Sequence, residues 1–201
     1  MTARVAPTEV PLPGLLAVGD GCPPMAGAGE GGLPLTSGLY VLLVRLKAAR
    51  RLKVGQLGPL DFRPGWYAYV GSAQRNLLAR LRRHARRRKA VHWHIDRLTQ
   101  EAAVVGAWTF PAPKSAECML AAALARGREV VAGFGASDCR CGGHLLRFAR
   151  RSEVEEAVRS AARGRGGQEG WNRRTDPVDG AQGVWVRFLG KRELTALGVA
   201  L

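Results

Sequence analysis

Two runs of β-forming residues, each opened by a glycine, constrain the fold more than any other feature of the chain: Gly38-Leu39-Tyr40-Val41-Leu42-Leu43-Val44-Arg45-Leu46 and Gly65-Trp66-Tyr67-Ala68-Tyr69-Val70-Gly71. Apolar and aromatic runs of this length bounded by turn residues are the pattern of strands. Between them Leu52-Lys53-Val54-Gly55, closed by Gly58-Pro59, predicts a second short strand, so the three read as an antiparallel meander. After Gly71 the period becomes helical. Leu77, Leu78, Leu81 and Ala85 fall on one face behind Asn76 as a plausible N-cap, while Arg80, His84 and Arg87 form a strip beside it. A short helix is expected over His92–Leu98 and a strand over Val104–Phe110, ended by Pro111 and Pro113. Ser115 is expected to cap a helix running to about Arg126, where Gly127 stops it. A loop over Gly133–Gly143 and a core strand over Leu145–Phe148 complete the pattern.

The expected fold class is therefore mixed α/β (α+β): a small central antiparallel sheet flanked by helices, occupying residues 36–150. Residues 1–35 are rich in Pro, Gly and Ala without a sustained period and read as a disordered leader. Residues 151–182 read as a charged helix (153–163) and an Arg/Gly linker. Residues 183–201 read as an alternating strand (184–189) and a closing helix (191–198), whose relation to the core sheet the sequence leaves open. The whole length of 201 residues suits one domain with tails, or at most two very small ones.

Charge narrows the partners. The chain carries 31 Lys and Arg against 16 Asp and Glu, a formal +15. A field of that sign attracts polyanions, with nucleic acid first and acidic membrane second. Its placement is uneven, since residues 75–89 hold seven Arg and one Lys with no acid, whereas the first 33 residues hold Arg4 against Glu9, Asp20 and Glu30. The positive field thus belongs to a folded element, which favours a binding surface over a generic basic tail, with a solvated helix face as the bland alternative. No apolar run approaches the length of a membrane-spanning helix, and no secretory pattern opens the chain. Four cysteines, Cys22, Cys118, Cys139 and Cys141, are too few for a disulfide scaffold of this length, so a reduced, cytoplasmic protein is expected.

Acids are scarce in the core region, which makes candidate chemistry readable. Between residues 34 and 150 only Asp61, Asp96, Glu101, Glu117, Glu129 and Asp138 occur. Glu117 opens a helix that is apolar almost all round, with Leu120, Ala121 and Leu124 on its face. A carboxylate there requires a cation or a metal, or else is an early-turn acid favoured by the helix dipole. Arg80 and His84, four residues apart, project from one helical face, an arrangement that suits phosphate contact and proton transfer. Tyr40 and Tyr69 lie on the two glycine-bounded strands, where a lone Tyr is more often core than catalyst.

Taken together these residues resemble a family. Gly38-Leu39-Tyr40, then Tyr69-Val70-Gly71-Ser72-Ala73, then Arg80 with His84, then Glu117 are similar to the ordered motifs of the GIY-YIG nuclease superfamily. His92-Trp93-His94-Ile95-Asp96, Glu117-Cys118, Gly133-Phe134-Gly135, Ser137-Asp138-Cys139-Arg140-Cys141 and His144-Leu145 resemble its narrower branch called domain of unknown function 123. In some proteins that branch is fused to a DNA glycosylase, which implies a separate repair protein as a partner here. The resemblance implies a DNA endonuclease, in repair or branched-DNA processing, with Tyr40 as general base or water-positioning group and Tyr69 orienting phosphate or water. It further implies Arg80 stabilising the scissile phosphate, His84 assisting proton transfer, and Glu117 as the sole protein ligand of one Mg²⁺ or Mn²⁺. Arg82, Arg83, Arg86, Arg87, Arg88 and Lys89 would continue the helix and grip flanking phosphates.

The chain departs from the superfamily in two places. Twenty-eight residues separate Tyr40 from Tyr69, which suggests an inserted hairpin. The Asn that commonly follows the metal Glu has no counterpart, leaving Asp138 or His144 as candidates for its role. Independently, Cys139, Cys141 and His144 sit within six residues and could bind Zn²⁺ with Cys118, His92 or His94 as fourth ligand, or simply pack as a loop. Two other functional readings stand beside the nuclease: a non-catalytic nucleic-acid-binding module of the same fold, and a zinc-stabilised interaction domain serving RNA or protein partners.

Overall fold

The computed structural model describes residues 36–163 and 187–196. The expected leader, the linker over 164–180 and the first residues of the strand expected at 184–189 lie outside the described residues. The main sheet is antiparallel, with β1 (Gly38–Leu46) at its heart. Apolar side chains on both of its faces explain that central place: Tyr40, Leu42, Val44 and Leu46 face one layer, and Leu39, Val41 and Leu43 face the other. β1 pairs with β4 (Gly65–Ala73) over its whole length, so that Tyr40 lies opposite Gly71 and Leu42 opposite Tyr69. β5 (Ala103–Phe110) flanks β1 on the other side, and β7 (Leu145–Phe148) with the short β6 (Glu129–Val130) extends the sheet beyond β4.

The expected meander is corrected in one respect. β2 (Arg50–Lys53) does not enter the main sheet but pairs with β3 (Pro59–Phe62) as a separate two-stranded hairpin between β1 and β4. β2 carries Arg50, Arg51 and Lys53, too polar a strand to be buried on both faces, whereas Val54 and Phe62 at its edge reach the core. This hairpin occupies the stretch that separates the two tyrosines.

Helices cover both faces. α1 (Leu77–Ala85) and α2 (His94–Glu101) send Leu77, Leu81, Ile95 and Leu98 onto the tyrosine-bearing face. α3 (Glu117–Ala125) and α4 (Arg151–Arg163) send Leu120, Ala121, Leu124, Val154 and Val158 onto the opposite face. The C-terminal segment joins the same sheet: β8 (Arg187–Gly190) pairs with β5 at the sheet edge, and Leu189 with Leu194 of α5 (Lys191–Ala196) enters the tyrosine-side core. Among the described residues no helix is long and apolar enough to cross a membrane.

Two helix starts differ from expectation. Asn76 precedes α1 but makes no capping hydrogen bond. It adopts the left-handed conformation that Asn tolerates, and the Leu77 N–H donates instead to the Thr36 carbonyl at 3.1 Å. Ser115 lies inside a 3-10 turn over Lys114–Ala116, so α3 begins only at Glu117. The basic run is also shorter as a helix than expected. α1 ends at Ala85, and Arg86 to Lys89 belong to the connection to α2.

Candidate active site and metal cluster

Antiparallel register sets the first two side chains. Tyr40 and Tyr69 project from neighbouring strands to the same face, with ring centroids 6.3 Å apart. Gly71, opposite Tyr40, makes room: a β-carbon there would lie 2.5 Å from the Tyr40 Cζ and Oη. A polar cleft of about 380 Å³ opens at this end of the sheet, lined by Tyr40, Tyr69, Arg80, Glu117, Lys114 and Asp138 among others. Four residues distant in sequence, the two tyrosines with Arg80 and Glu117, therefore share one pocket. Its rim holds the pair Lys114 Nζ to Asp138 Oδ2 at 2.8 Å.

Behind the tyrosines lies a buried chain of polar groups. The Tyr40 hydroxyl is 2.9 Å from His84 Nε2, and His84 Nδ1 faces Asp96 Oδ1 at 3.8 Å. His84 (1% exposed) does not line the cleft; its hydrogen-bond link to it is Tyr40, while its ring also packs against Tyr69 and Trp93 of the lining. Burial lowers the His84 pKa, with the positive charges of Lys89 and Arg80 adding to the effect against the opposing pull of Asp96. The neutral imidazole is thus the resting form, and its tautomer protonated on Nδ1, an atom without a hydrogen-bond partner among the described residues, leaves Nε2 able to accept from Tyr40. Burial, and after it the neighbouring Tyr69, holds Tyr40 well above the ordinary phenol range, and burial with Glu117 does the same to Tyr69. Both phenols stay protonated near neutrality.

Asp96, with no exposed surface, organises this layer. It is the third residue of α2 and reaches back to accept the backbone N–H groups of His92 and Trp93, each at 2.9 Å. Both of its oxygens also lie 3.0 Å from Arg83 Nη1. Burial would raise its pKa, but these donors and His84 outweigh it and hold the carboxyl well below the usual range. Lys89 belongs to the same network. Its Nζ donates to the carbonyls of Arg83 and His84 and to Thr99 Oγ1, and lies 3.4 Å from Asp96, with a side chain only 4% exposed. Burial brings its pKa down to about 8.

The expected phosphate-gripping run therefore divides. Lys89 is turned inward as a structural cation, and Arg83 is held by Asp96, the Ala90 carbonyl and the Trp93 ring, whose centroid lies 4.3 Å from its Cζ. Arg82 is half-buried on α1, while Arg86, Arg87 and Arg88 are exposed. Arg80 stands between the two groups. It donates to the Ser72 carbonyl at 2.8 Å, stacks against Trp93 with its Cζ 4.7 Å from the ring centroid, and lines the cleft.

Glu117 enters the cleft from the start of α3, 14% exposed. Its Oε1 lies 3.0 Å from His144 Nδ1. The other nitrogen of that imidazole, Nε2, lies 3.6 Å from Cys139 Sγ. Cys118, Cys139, Cys141 and His144 form a cluster whose ligand atoms all lie within 4.8 Å of one another, and such a set could hold a metal ion. The described thiols are free. Cys118 is thus the fourth member left open by the sequence. His92 and His94 line the cleft instead, His94 accepting the Gly135 N–H at 3.1 Å. Sequence reasoning missed Asp96 and Lys89 as partners of His84, although the helix-start position of Asp96 after His92-Trp93 was a usable signal.

These features define a mixed α/β protein with a tyrosine, arginine and carboxylate cleft beside a thiol-rich cluster. A family model described as Domain of unknown function DUF123 matches residues 39–166, more than half of the chain, and the chain belongs to that family. No curated protein and no solved structure matches it.

Proposed function

We propose that this protein is a divalent-metal-dependent endonuclease that hydrolyses phosphodiester bonds in DNA. The observation that carries the reading is the convergence of Tyr40, Tyr69, Arg80 and Glu117 on one polar cleft. The exposed Arg86, Arg87 and Arg88 supply charge for flanking phosphates.

Glu117 is suited to hold one Mg²⁺ or Mn²⁺. One of its oxygens is engaged by His144, and the other takes no protein hydrogen bond among the described residues. Hard cations of this kind accept a single carboxylate when substrate phosphate and water complete the site, and the ion would supply neutralising charge on the phosphate. The remaining steps belong to the chain itself. As water attacks phosphorus, its proton passes to Tyr40 Oη while the Tyr40 proton passes to His84 Nε2, so the buried phenol never carries a full charge. Asp96, 3.8 Å from Nδ1, stabilises the imidazolium so formed. Arg80, braced by Ser72 and Trp93, meets the charge that develops on the phosphate, Tyr69 orients water or phosphate, and the leaving oxygen takes its proton from solvent.

Supercoiled plasmid tests the proposal. Nicking is expected with Mg²⁺ or Mn²⁺, none in EDTA, and a loss of about 100-fold or more in Arg80→Ala. A chain that shifts labelled DNA in EDTA yet yields no product with either metal is a binding module and not an enzyme.

A further inference from the structure

The cysteine cluster and the cleft are joined by one imidazole. In a tetrahedral zinc site, bond lengths of about 2.3 Å to sulfur and about 2.0–2.1 Å to nitrogen place S and N about 3.5–3.6 Å apart and two sulfurs about 3.8 Å apart. Cys139 Sγ and His144 Nε2 already stand 3.6 Å apart, and the full set lies within 4.8 Å. The four ligands come from two separate places, Cys118 from the first turn of α3 and the other three from the segment leading into β7. That segment is held in place around them: His144 N–H donates to the Phe134 carbonyl at 2.7 Å, Gly133 N–H to the Gly142 carbonyl at 2.8 Å, and Val70 N–H to the His144 carbonyl at 2.9 Å. Gly135, with φ +74, brings the loop close to the site; a β-carbon there would lie 2.7 Å from Tyr69 Cε2 and 3.2 Å from His144 Cβ.

We propose that Cys118, Cys139, Cys141 and His144 bind one Zn²⁺ ion, and that His144 carries its rigidity to Glu117. Three thiolates and an imidazole make a closed, structural set with no position for substrate. Ligation through Nε2 leaves the ring proton on Nδ1, which donates to Glu117 Oε1 at 3.0 Å. A carboxylate held by a zinc-bound histidine is a recurring arrangement in which each orients the other. Here it inverts the usual emphasis: the structural ion fixes the carboxylate that the cleft uses, and His144 is a positioning residue for Glu117. This second half rests on the nuclease reading; the zinc site does not.

The full chain, expressed with zinc in the medium, is expected to contain one zinc per molecule by plasma emission analysis. After exchange it should show the intense visible bands and thiolate charge transfer of tetrahedral cobalt. A folded chain that contains no zinc, gives no such cobalt spectrum and keeps its thermal midpoint in a strong chelator overturns the site. These arms need no variant and no DNA, so they stand apart from any failure to cut. Cys139→Ser and Cys141→Ser should lose most of the metal, and unchanged zinc content in both also overturns the site. For the link to Glu117, His144→Cys keeps four ligands while removing the imidazole donor. It should retain zinc while the Mg²⁺ concentration needed for half-maximal nicking rises about tenfold. Retained zinc with an unchanged Mg²⁺ requirement overturns the positioning role.

Discussion

Tyr40 is buried with its hydroxyl 2.9 Å from a buried histidine, and each property predicts a different response. Tyr40→Phe keeps the ring that fills the core and removes only the proton path, so nicking should fall by about 100-fold or more with little change in the urea midpoint. A fall in stability that matches the fall in rate would make the hydroxyl structural. His84 must be neutral to accept the Tyr40 proton, and burial moves its pKa below the ordinary value of 6.5. Hence the rate should hold as pH decreases to about 6.5 and decline only below it. A profile already falling above pH 7 would exclude His84 as the acceptor. Gly71→Ala places a methyl against the buried Tyr40 ring and should cost about 1–3 kcal/mol by denaturant unfolding, with activity reduced as the phenol is displaced. The phenols and Arg80 were legible in the sequence only together, through the resemblance of Gly38-Leu39-Tyr40, Tyr69-Val70-Gly71 and Arg80 with His84 to one ordered motif, because each alone reads as core or as one of many basic helix positions. Their burial was not, because it depends on α1 and α2 closing over the tyrosine-bearing face.

At the start of α2, Asp96 ties Arg83, Lys89, His84 and two backbone N–H groups into one buried cluster. Removing one partner of such a cluster leaves buried cations without a counter-charge, so Asp96→Ala should cost about 3–5 kcal/mol. The sign with pH follows from its depressed pKa. The carboxylate contributes stability fully above the unfolded value of about 4, and loses it as pH falls toward the lower folded value. Acid unfolding of the wild type should therefore steepen below about pH 4, and Asp96→Asn should lack that added loss; parallel curves would contradict the assignment. The basic run was legible in the sequence, but its division was not. The resemblance implied a helix continuing through Lys89, whereas the chain turns at Arg86 and folds Lys89 inward over Thr99. The β2–β3 hairpin was legible as a short strand and as excess length between the tyrosines but not as a separate sheet, since a pattern of residues does not say which neighbour a short polar strand will choose. Likewise, local spacing found Cys139, Cys141 and His144, but only the packing of α3 against the sheet could select Cys118.

For the molecule as a whole, the proposed function has the net charge of +15 and the cleft act together on DNA. Arg86, Arg87 and Arg88 are exposed, so replacing all three by Ala should weaken DNA binding uniformly across sequences. For every phosphate left without its arginine, the slope of log affinity against log salt should flatten by about 0.9. An unchanged slope would move the DNA surface elsewhere. The C-terminal β8 and α5 complete the same sheet and core, a long-range pairing that alternation alone could not assign to an edge. The most direct measurement compares wild type and Glu117→Gln on one labelled duplex, with affinity read in EDTA and single-turnover cleavage read after adding Mg²⁺. The amide can still accept from His144, so fold and affinity should be unchanged while cleavage falls by about 100-fold or more. Cleavage that survives in Glu117→Gln, or that never appears in the wild type with either Mg²⁺ or Mn²⁺, would contradict a carboxylate-centred nuclease.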